Sequence, residues 1–190
     1  MNNVNPSRIE HLHECLQQEV MMSSKPFSWF RVVHKAVKCP DRRFHFWWRI
    51  ASYWYTSDSN FLKARARGLN RKLISKYGAD IQLSAHIGPG MVITHYQGIV
   101  INGSAVIGRN FRIRQNVTIG ITGNNRNKFP ISLKIGDNVT IGANSCVIGD
   151  QIRIGNNVTI GALSFINKDI PDYATVYNEK KIKIVPDKSI

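Results

Sequence analysis

Apolar residues recur at every sixth position between residues 81 and 170, and a glycine follows eight of them. The repeats comprise Ile81, Ile87, Ile93, Ile99, then Ile107, Ile113, Ile119, then Ile135, Ile141, Val147, and finally Ile148, Ile154, Ile160 and Ile166. A short fixed period is typical of stacked repeats. Glycine directly after the apolar residue is unsuited to a strand interior and indicates a turn at every hexad. Three such turns predict a triangular coil of about 18 residues whose isoleucines point inward.

The beginning of the chain shows helical spacing instead. Ser7 is a candidate helix start, and the apolar residues that follow it at helical spacing are Ile9, Leu12, Leu16 and Val20. A polar stretch that ends in Pro26 predicts the end of this helix. Further helices are predicted over 27–38, 41–55 and 60–77. Gly78 is the stop signal of the last one.

The chain is expected to divide into an N-terminal helical region, 1–78, and a repeat region, 79–190. Within the first, the segment 42–71 combines aromatic and basic residues. One interpretation is a helical cap whose aromatic side chains pack on one another and on a partner subunit. A second is a helix on a membrane surface, because tryptophan and cations together suit the bilayer interface. A third is direct contact with a polymeric substrate.

Composition adds a strongly basic balance, with 26 Lys and Arg against 12 Asp and Glu in 190 residues and a net charge of +14. Such a charge favours anionic partners. No nucleic-acid motif accompanies it, so nucleic acid is not expected. Three widely spaced cysteines do not suit a disulfide framework and indicate a reducing, cytoplasmic compartment. No apolar run is long enough for a transmembrane helix, no metal-ligand cluster is visible, and peripheral membrane contact stays open.

Two segments of the repeat region resemble a known family. Residues 95–100 read HYQGIV, and 115–120 read QNVTIG, which runs on through Ile121 into Thr122 and Gly123. These segments resemble serine acetyltransferases, and the Ile-Gly repeat resembles the hexapeptide repeat of that wider family. The resemblance covers roughly 80–183. It implies a mainly β fold, a left-handed parallel β-helix of hexapeptide repeats with an N-terminal α-helical region. The left hand comes from the resemblance, since crossovers are otherwise right-handed.

The resemblance also implies a catalytic pair. In the family, a histidine at the position of His95 is the general base, and an aspartate at the position of Asp80 orients it. The spacing agrees, because His95 lies 15 positions after Asp80, which places the two on neighbouring coils about 4.8 Å apart. A histidine with a pKa near 6.5 suits proton transfer near neutral pH.

Two departures from the family pattern concern the acceptor. Thr94 stands where serine acetyltransferases carry an aspartate, and Phe129 stands where they carry a second histidine. An insertion at about 131–133 follows in the predicted excursion loop, 121–134. This combination is similar to the related enzymes that O-acetylate sugars of bacterial capsule or exopolysaccharide. The expected acceptor contacts are Thr94, Tyr96, Arg126 and Phe129.

The donor implied by the resemblance is acetyl-CoA, lying in a groove between adjacent β-helices. The positions that match its binding site are Thr122, Gly123, Ala143 and Ala162, with Lys168 and Lys181 as candidates for the phosphates. The C-terminal sequence motif usual in the family, Gly-x-Pro-Ala-Lys/Arg, is absent. No metal is expected.

These observations predict a homotrimer, with a hexamer formed through 1–78 left open. The function expected is acetyl-CoA-dependent O-acetylation of a sugar hydroxyl in a bacterial surface glycan or its precursor. The first alternative is serine O-acetyltransferase of cysteine biosynthesis. The second is a non-catalytic β-helix that serves in assembly. The presence of both Asp80 and His95 speaks against the second.

Overall fold

A computed structural model of the chain describes residues 7–123 and 130–179. The helices are α1 Arg8–Leu16, continued by a π-helical turn Gln17–Met21, α2 Trp29–Lys38, α3 Pro40–Tyr55 and α4 Asn60–Tyr77. Ser7 and Glu10 form a capping box at the start of α1. Gly78 ends α4 in the left-handed conformation, with φ of 69°. The predicted helix starts and stops are therefore confirmed to within two residues.

Short strands follow, all of them paired in parallel. They are β1 Ala79–Ile81, β2 His86–Ile87, β3 Val92–Ile93, β4 Ile99–Ile101, β5 Ala105–Ile107, β6 Arg112–Ile113, β7 Thr118–Gly120, β8 Ser132–Ile135, β9 Thr140–Ile141, β10 Cys146–Ile148, β11 Gln151–Ile154, β12 Thr159–Ile160, β13 Phe165–Ile166 and β14 Thr175–Val176. Sheet A holds β1, β4, β7, β10 and β13, sheet B holds β2, β5, β8 and β11, and sheet C holds β3, β6, β9, β12 and β14. The chain therefore winds into a triangular solenoid of about five coils, with A-to-B, B-to-C and C-to-A corners.

The solenoid interior is filled by the predicted isoleucine stacks. All of the repeat residues in the sequence pattern are buried except Ile148, which is half-buried and lies over Gly120. The corners approach so closely that a Cβ on Gly88 would lie 2.6 Å from the carbonyl oxygen of Gly108. Backbone atoms also lie within 2.9 Å of an added Cβ at Gly108, Gly136, Gly142 and Gly155, so stacking of the coils requires glycine at these corners. At Gly120, Gly149 and Gly161 an added Cβ would meet side chains first.

Helices α3 and α4 share one core with the solenoid, whereas α1, the π-helical turn and α2 form a second buried cluster with another face of α3. Phe44 and Trp48 of α3 are fully buried against the end of the solenoid, together with Leu73 of α4. The indole nitrogen of Trp48 donates a hydrogen bond of 3.1 Å to the carbonyl oxygen of Ile81. The aromatic segment therefore caps the end of the chain's own solenoid, and the packing on a partner subunit that the cap interpretation includes stays a prediction. No helix among the described residues is long and apolar enough to cross a membrane.

The coils differ in length along the solenoid, and two of the differences concern the predicted site. Ile93 pairs with Ile113, 20 positions on, whereas Val100 pairs with Thr118, 18 positions on. The offset then rises to 28 between β5 and β8, because the excursion loop interrupts the third coil. The predicted end of the excursion loop at 134 is wrong, and the insertion at about 131–133 relative to the family stays a prediction. Ser132 already belongs to β8, and Leu133 is fully buried.

Candidate functional site

His95 lies in a C-to-A corner that is longer than the corner stacked on it. Five residues separate Ile93 from Ile99, and three separate their partners Ile113 and Val117, as the change of offset from 20 to 18 requires. Thr94 and His95 are both exposed. The two extra residues make this segment, 94–98, project from an otherwise regular edge of the solenoid. We call it the His95 corner.

Tyr96 fastens the His95 corner to the helices. Its hydroxyl donates a hydrogen bond of 2.8 Å to the carbonyl oxygen of Asp41, at the start of α3. Its ring contacts Phe44 and Tyr77, with centroids 4.8 and 5.2 Å away. Burial raises the pKa of Tyr96 well above its usual range, so the hydroxyl keeps its proton. Tyr96 thus has an anchoring role that the sequence did not predict, and its contact with an acceptor stays a prediction.

Asp80 lies on the outward face of sheet A, half-buried, directly beside Val100 of the next coil. In the single chain no hydrogen bond or ion pair joins the described side chains of Asp80 and His95. The two residues lie at the same end of the solenoid. Asp80 is on β1, and His95 is in the corner that leads into β4, the strand paired with β1. The orienting role of Asp80 therefore stays a prediction.

The predicted cofactor positions that the structure describes lie at the edges of sheet A. Its outward ladder runs through Asp80, Val100, Thr118, Cys146 and Phe165. Val100 is 38% exposed and Phe165 is 55% exposed, so this face presents apolar surface. The predicted cofactor positions flank it on both edges.

At the A-to-B edge, Asp150 holds the start of the excursion loop. The hydroxyl of Thr122 donates a hydrogen bond of 2.6 Å to one carboxylate oxygen of Asp150, and the backbone N–H of Gly123 donates one of 3.0 Å to the other. Lys168 lies exposed in the same stack of corners, two coils farther along. These two hydrogen bonds fix the positions of Thr122 and Gly123. The role of Asp150 as their partner was not predicted from the sequence.

At the C-to-A edge, Gln115, Ala143 and Ala162 stack in successive corners. Asn144 donates its backbone N–H to the carbonyl oxygen of Gln115 at 3.1 Å, and Leu163 donates to that of Ala143 at 2.9 Å. The side-chain oxygen of Gln115 is buried and has no hydrogen-bond partner within the described residues. An unpaired buried acceptor is unusual, and it lies next to the His95 corner. This signal is not visible in the sequence, where Gln115 is one more turn residue.

Three predicted positions, Arg126, Phe129 and Lys181, lie outside the described residues. In the described part of the chain, no group of three His, Cys, Asp or Glu side chains is placed to hold a metal ion.

A cavity of about 680 Å³ lies elsewhere, over sheet B and under α1 and α3. None of the predicted catalytic, acceptor or donor residues lines it. It is lined by cations from distant parts of the chain, among them Arg8, Lys134 and Arg153. Sequence reasoning missed this cluster. The available signal was a cation directly before the repeated isoleucine at positions one coil, or three hexads, apart, as in Lys134-Ile135 and Arg153-Ile154.

The chain is similar to serine acetyltransferases in sequence. It is 38% identical over 128 residues to the mitochondrial serine acetyltransferase 3 of Arabidopsis thaliana, which covers 67% of this chain and 31% of that protein. It is also 42% identical over 110 residues to WcaB of Escherichia coli K12, whose name describes it as a colanic acid biosynthesis acetyltransferase. This match covers 57% of this chain and 65% of that protein. The match thus spans from about a third to about two thirds of these relatives. No family model matches the chain.

The fold is similar to solved serine acetyltransferases as well. The structure of isoform 3 from Entamoeba histolytica in complex with cysteine superposes with a TM-score of 0.74 at 28% identity, covering 96% of this chain and 63% of that one. The Neisseria gonorrhoeae enzyme in complex with serine superposes with a TM-score of 0.68 at 28% identity, covering 90% and 67%. These likenesses confirm the predicted left-handed β-helix and the resemblance to serine acetyltransferases.

Proposed function

We propose that this protein transfers an acetyl group from acetyl-CoA to a hydroxyl of a bacterial surface glycan or its precursor, with His95 as general base. The observation that carries this proposal is the His95 corner. It is a histidine-bearing irregularity on a regular scaffold, in a chain that resembles acetyltransferases in sequence and fold. Irregular segments on rigid scaffolds commonly carry function.

The chemistry requires one base and one leaving group. The His95 imidazole takes the proton of the acceptor hydroxyl as the oxygen attacks the thioester carbonyl carbon. The tetrahedral intermediate then expels the CoA thiolate, which receives the proton from the imidazolium, so the base is regenerated. A carboxylate at Asp80 would fix the histidine tautomer and stabilise the imidazolium, as in other histidine-carboxylate pairs.

Acetyl-CoA is proposed to lie along the edge of sheet A, where Ala143 and Ala162 are small enough for backbone approach. Gln115 lies in the same stack of corners, and its side-chain oxygen is buried without a partner among the described residues. If the side chain turns outward on binding, this oxygen would accept a hydrogen bond from an amide N–H of the donor and would no longer be unsatisfied.

The acceptor is proposed to be a sugar because the His95 corner offers no anion for an ammonium group. Thr94 is an exposed neutral residue beside the base, and a charged amino acid needs charge partners when it loses water. The relatives include WcaB, whose name refers to a polysaccharide. The second candidate function is serine O-acetylation, which is favoured by the many relatives and solved structures named for that reaction.

A homotrimer is part of the proposal, because the donor groove of such enzymes lies between two β-helices. The apolar outward face of sheet A, with Val100 and Phe165 exposed, suits burial against a neighbouring chain. It lies between the two edges that carry the predicted donor residues. An interface there would place donor, base and acceptor together.

Substitution of the base tests the proposal. We expect His95→Ala to lower kcat by about 10²–10⁴-fold, the usual contribution of a general base, with circular dichroism unchanged because the side chain is exposed. Thiol release from acetyl-CoA in the presence of an accepted glycan is the measurement. His34→Ala, an exposed histidine on α2, is the matched control and should keep full activity. Wild-type turnover by His95→Ala would remove His95 from the mechanism.

A further inference from the structure

The cavity over sheet B is positively charged and has no acidic residue in its lining. Five Arg or Lys side chains line it, and no Asp or Glu does. Two of the five are neutralised from just outside, Arg49 by Glu19 and Arg109 by Glu14. Arg8 donates hydrogen bonds to the carbonyl oxygen of Tyr53 at 2.7 Å and to the hydroxyl of Thr56 at 3.0 Å, and neither carries charge.

The remaining cations, Lys134 and Arg153, are direct neighbours on strands β8 and β11. Both side chains are exposed, and within the described chain neither makes a hydrogen bond or an ion pair. Like charges directly opposite each other on adjacent strands are unfavourable. Two carboxylates lie on the Arg153 side of the pair: Asp169 accepts the backbone N–H of Arg153 at 2.8 Å, and hydrogen bonds from Asn156 together with the Arg153 charge lower the pKa of Asp172. Neither carboxylate forms an ion pair with the Arg153 or Lys134 side chain in the described chain, so both cations, at about 4.8 Å strand spacing, are free to face a bound anion.

The rest of the lining suits a hydroxylated ligand with an apolar face. Hydroxyl groups come from Ser52, Tyr53, Thr56 and Ser84, and apolar surface from Leu12 and Val106. His11 and His86 stack face to face at 5.1 Å on one wall. Burial lowers the pKa of each, and the nearby Arg49 charge lowers it further, so their rings are neutral near pH 7. Stacked neutral rings and hydroxyls are surfaces on which a sugar can bind.

We propose that this cavity binds an acidic saccharide, with Lys134, Arg153 and Arg8 facing its carboxylate or phosphate groups. The site lies on sheet B and its B-to-C corner, whereas His95 and the predicted donor positions lie on sheet A and its edges. Binding in the cavity is therefore independent of the acetyl-transfer reaction. In this protein a rigid sheet carries a second glycan contact, separate from the reacting centre.

Isothermal titration calorimetry of the full chain at low salt tests this site. The probes are tetragalacturonate, which carries carboxylates, glucose 1-phosphate, which carries a phosphate, and neutral maltotetraose. Each titration is made without CoA and repeated with CoA, because CoA fills the donor groove but its phosphates would also compete for a cationic cavity. We expect one or both acidic probes to bind, binding to weaken as salt is raised, and maltotetraose to bind at least tenfold more weakly. The preferred acidic probe identifies the kind of anion.

The double variant Lys134→Gln/Arg153→Gln should weaken binding of the acidic probe by tenfold or more. The matched control is Lys38→Gln/Arg67→Gln, which removes two exposed charges outside the cavity and should bind as the wild type does. Equal binding by all three proteins, or no binding of either acidic probe, would overturn the proposal. Thiol release measured in parallel reports on the proposed acetyl transfer, so failure of one proposal is distinguishable from failure of the other.

Discussion

Glu19 is a buried carboxylate that ties the helices to the first coil. It accepts hydrogen bonds from Arg49 Nε at 2.9 Å and from the backbone N–H groups of Gly90 and Met91 at 3.1 and 2.9 Å. Arg49 in turn donates to the carbonyl oxygens of Ile87 and Gly88. Burial alone would raise the pKa of Glu19, but the Arg49 charge and the hydrogen bonds hold it at about 2.

Glu19→Gln should destabilise the fold strongly, because it leaves the Arg49 charge buried without its partner. Breaking one side of a buried pair typically costs about 3–5 kcal/mol. The pKa of Glu19 is lowered on folding from about 4.5 to about 2, so the stability it contributes is present above pH 4.5 and is lost as the pH falls towards 2. Denaturant unfolding of wild type and variant at pH 7 and pH 3 should show a large difference at pH 7 and a smaller one at pH 3.

The exposed pair of Glu14 and Arg109 supplies the control for this prediction. Surface ion pairs contribute about 0–1 kcal/mol, and both side chains are more than a third exposed. Glu14→Gln should therefore change stability little at either pH. Equal losses from Glu14→Gln and Glu19→Gln would show that burial of Glu19 does not matter.

Single residues were predictable where the hexad period fixed their direction, and not elsewhere. The period placed Ile87, Ile113 and Ile160 in the core, and they are buried. It said nothing of Glu19, whose partners lie 30 and 71 positions away. Such contacts depend on how the helices dock, which no local pattern specifies.

At the scale of elements, the corners depend on close backbone stacking. A Cβ on Gly88 would lie 2.6 Å from the Gly108 carbonyl oxygen and 2.9 Å from the Arg109 nitrogen, so only backbone movement can relieve the clash. Gly88→Ala should therefore destabilise by about 1–3 kcal/mol, as overpacking does. A methyl group added at Gly68 in α4 would meet nothing within 4 Å, and Gly68→Ala should stabilise by about 0.5–1 kcal/mol. Chemical denaturation of both variants is the measurement, and the same sign for both would contradict this account of the corners.

Element boundaries were predictable where a breaker residue marks them. Gly78 ends α4 at the predicted position, because glycine readily takes the left-handed conformation. The first coil is 20 residues long and the excursion loop ends before Ser132, both unlike the prediction. Extra residues in a corner do not disturb the isoleucine period on either side of it. The period alone therefore does not predict how many residues a corner contains. The His95 corner is such a case, and the family resemblance identified it instead.

At the scale of the whole molecule, the proposed donor groove requires more than one chain. A chain of 21.5 kDa should give a particle of about 64.5 kDa, three times that mass, in light scattering at micromolar concentration. A hexamer formed through the helical region would also contain the trimer. A monomer under these conditions would contradict the proposed groove along sheet A.

The choice of acceptor is the central claim, and competing acceptors test it most directly. Thiol release from acetyl-CoA is measured for the purified protein with L-serine and with a panel of bacterial surface glycans and their precursors. Because Thr94 leaves the His95 corner without a charge partner for an ammonium group, the account predicts clear turnover of a glycan and slow or absent turnover of L-serine. L-serine turnover with kcat on the order of 10 s⁻¹ or more, a usual value for a metabolic enzyme, would contradict it and establish serine O-acetylation instead.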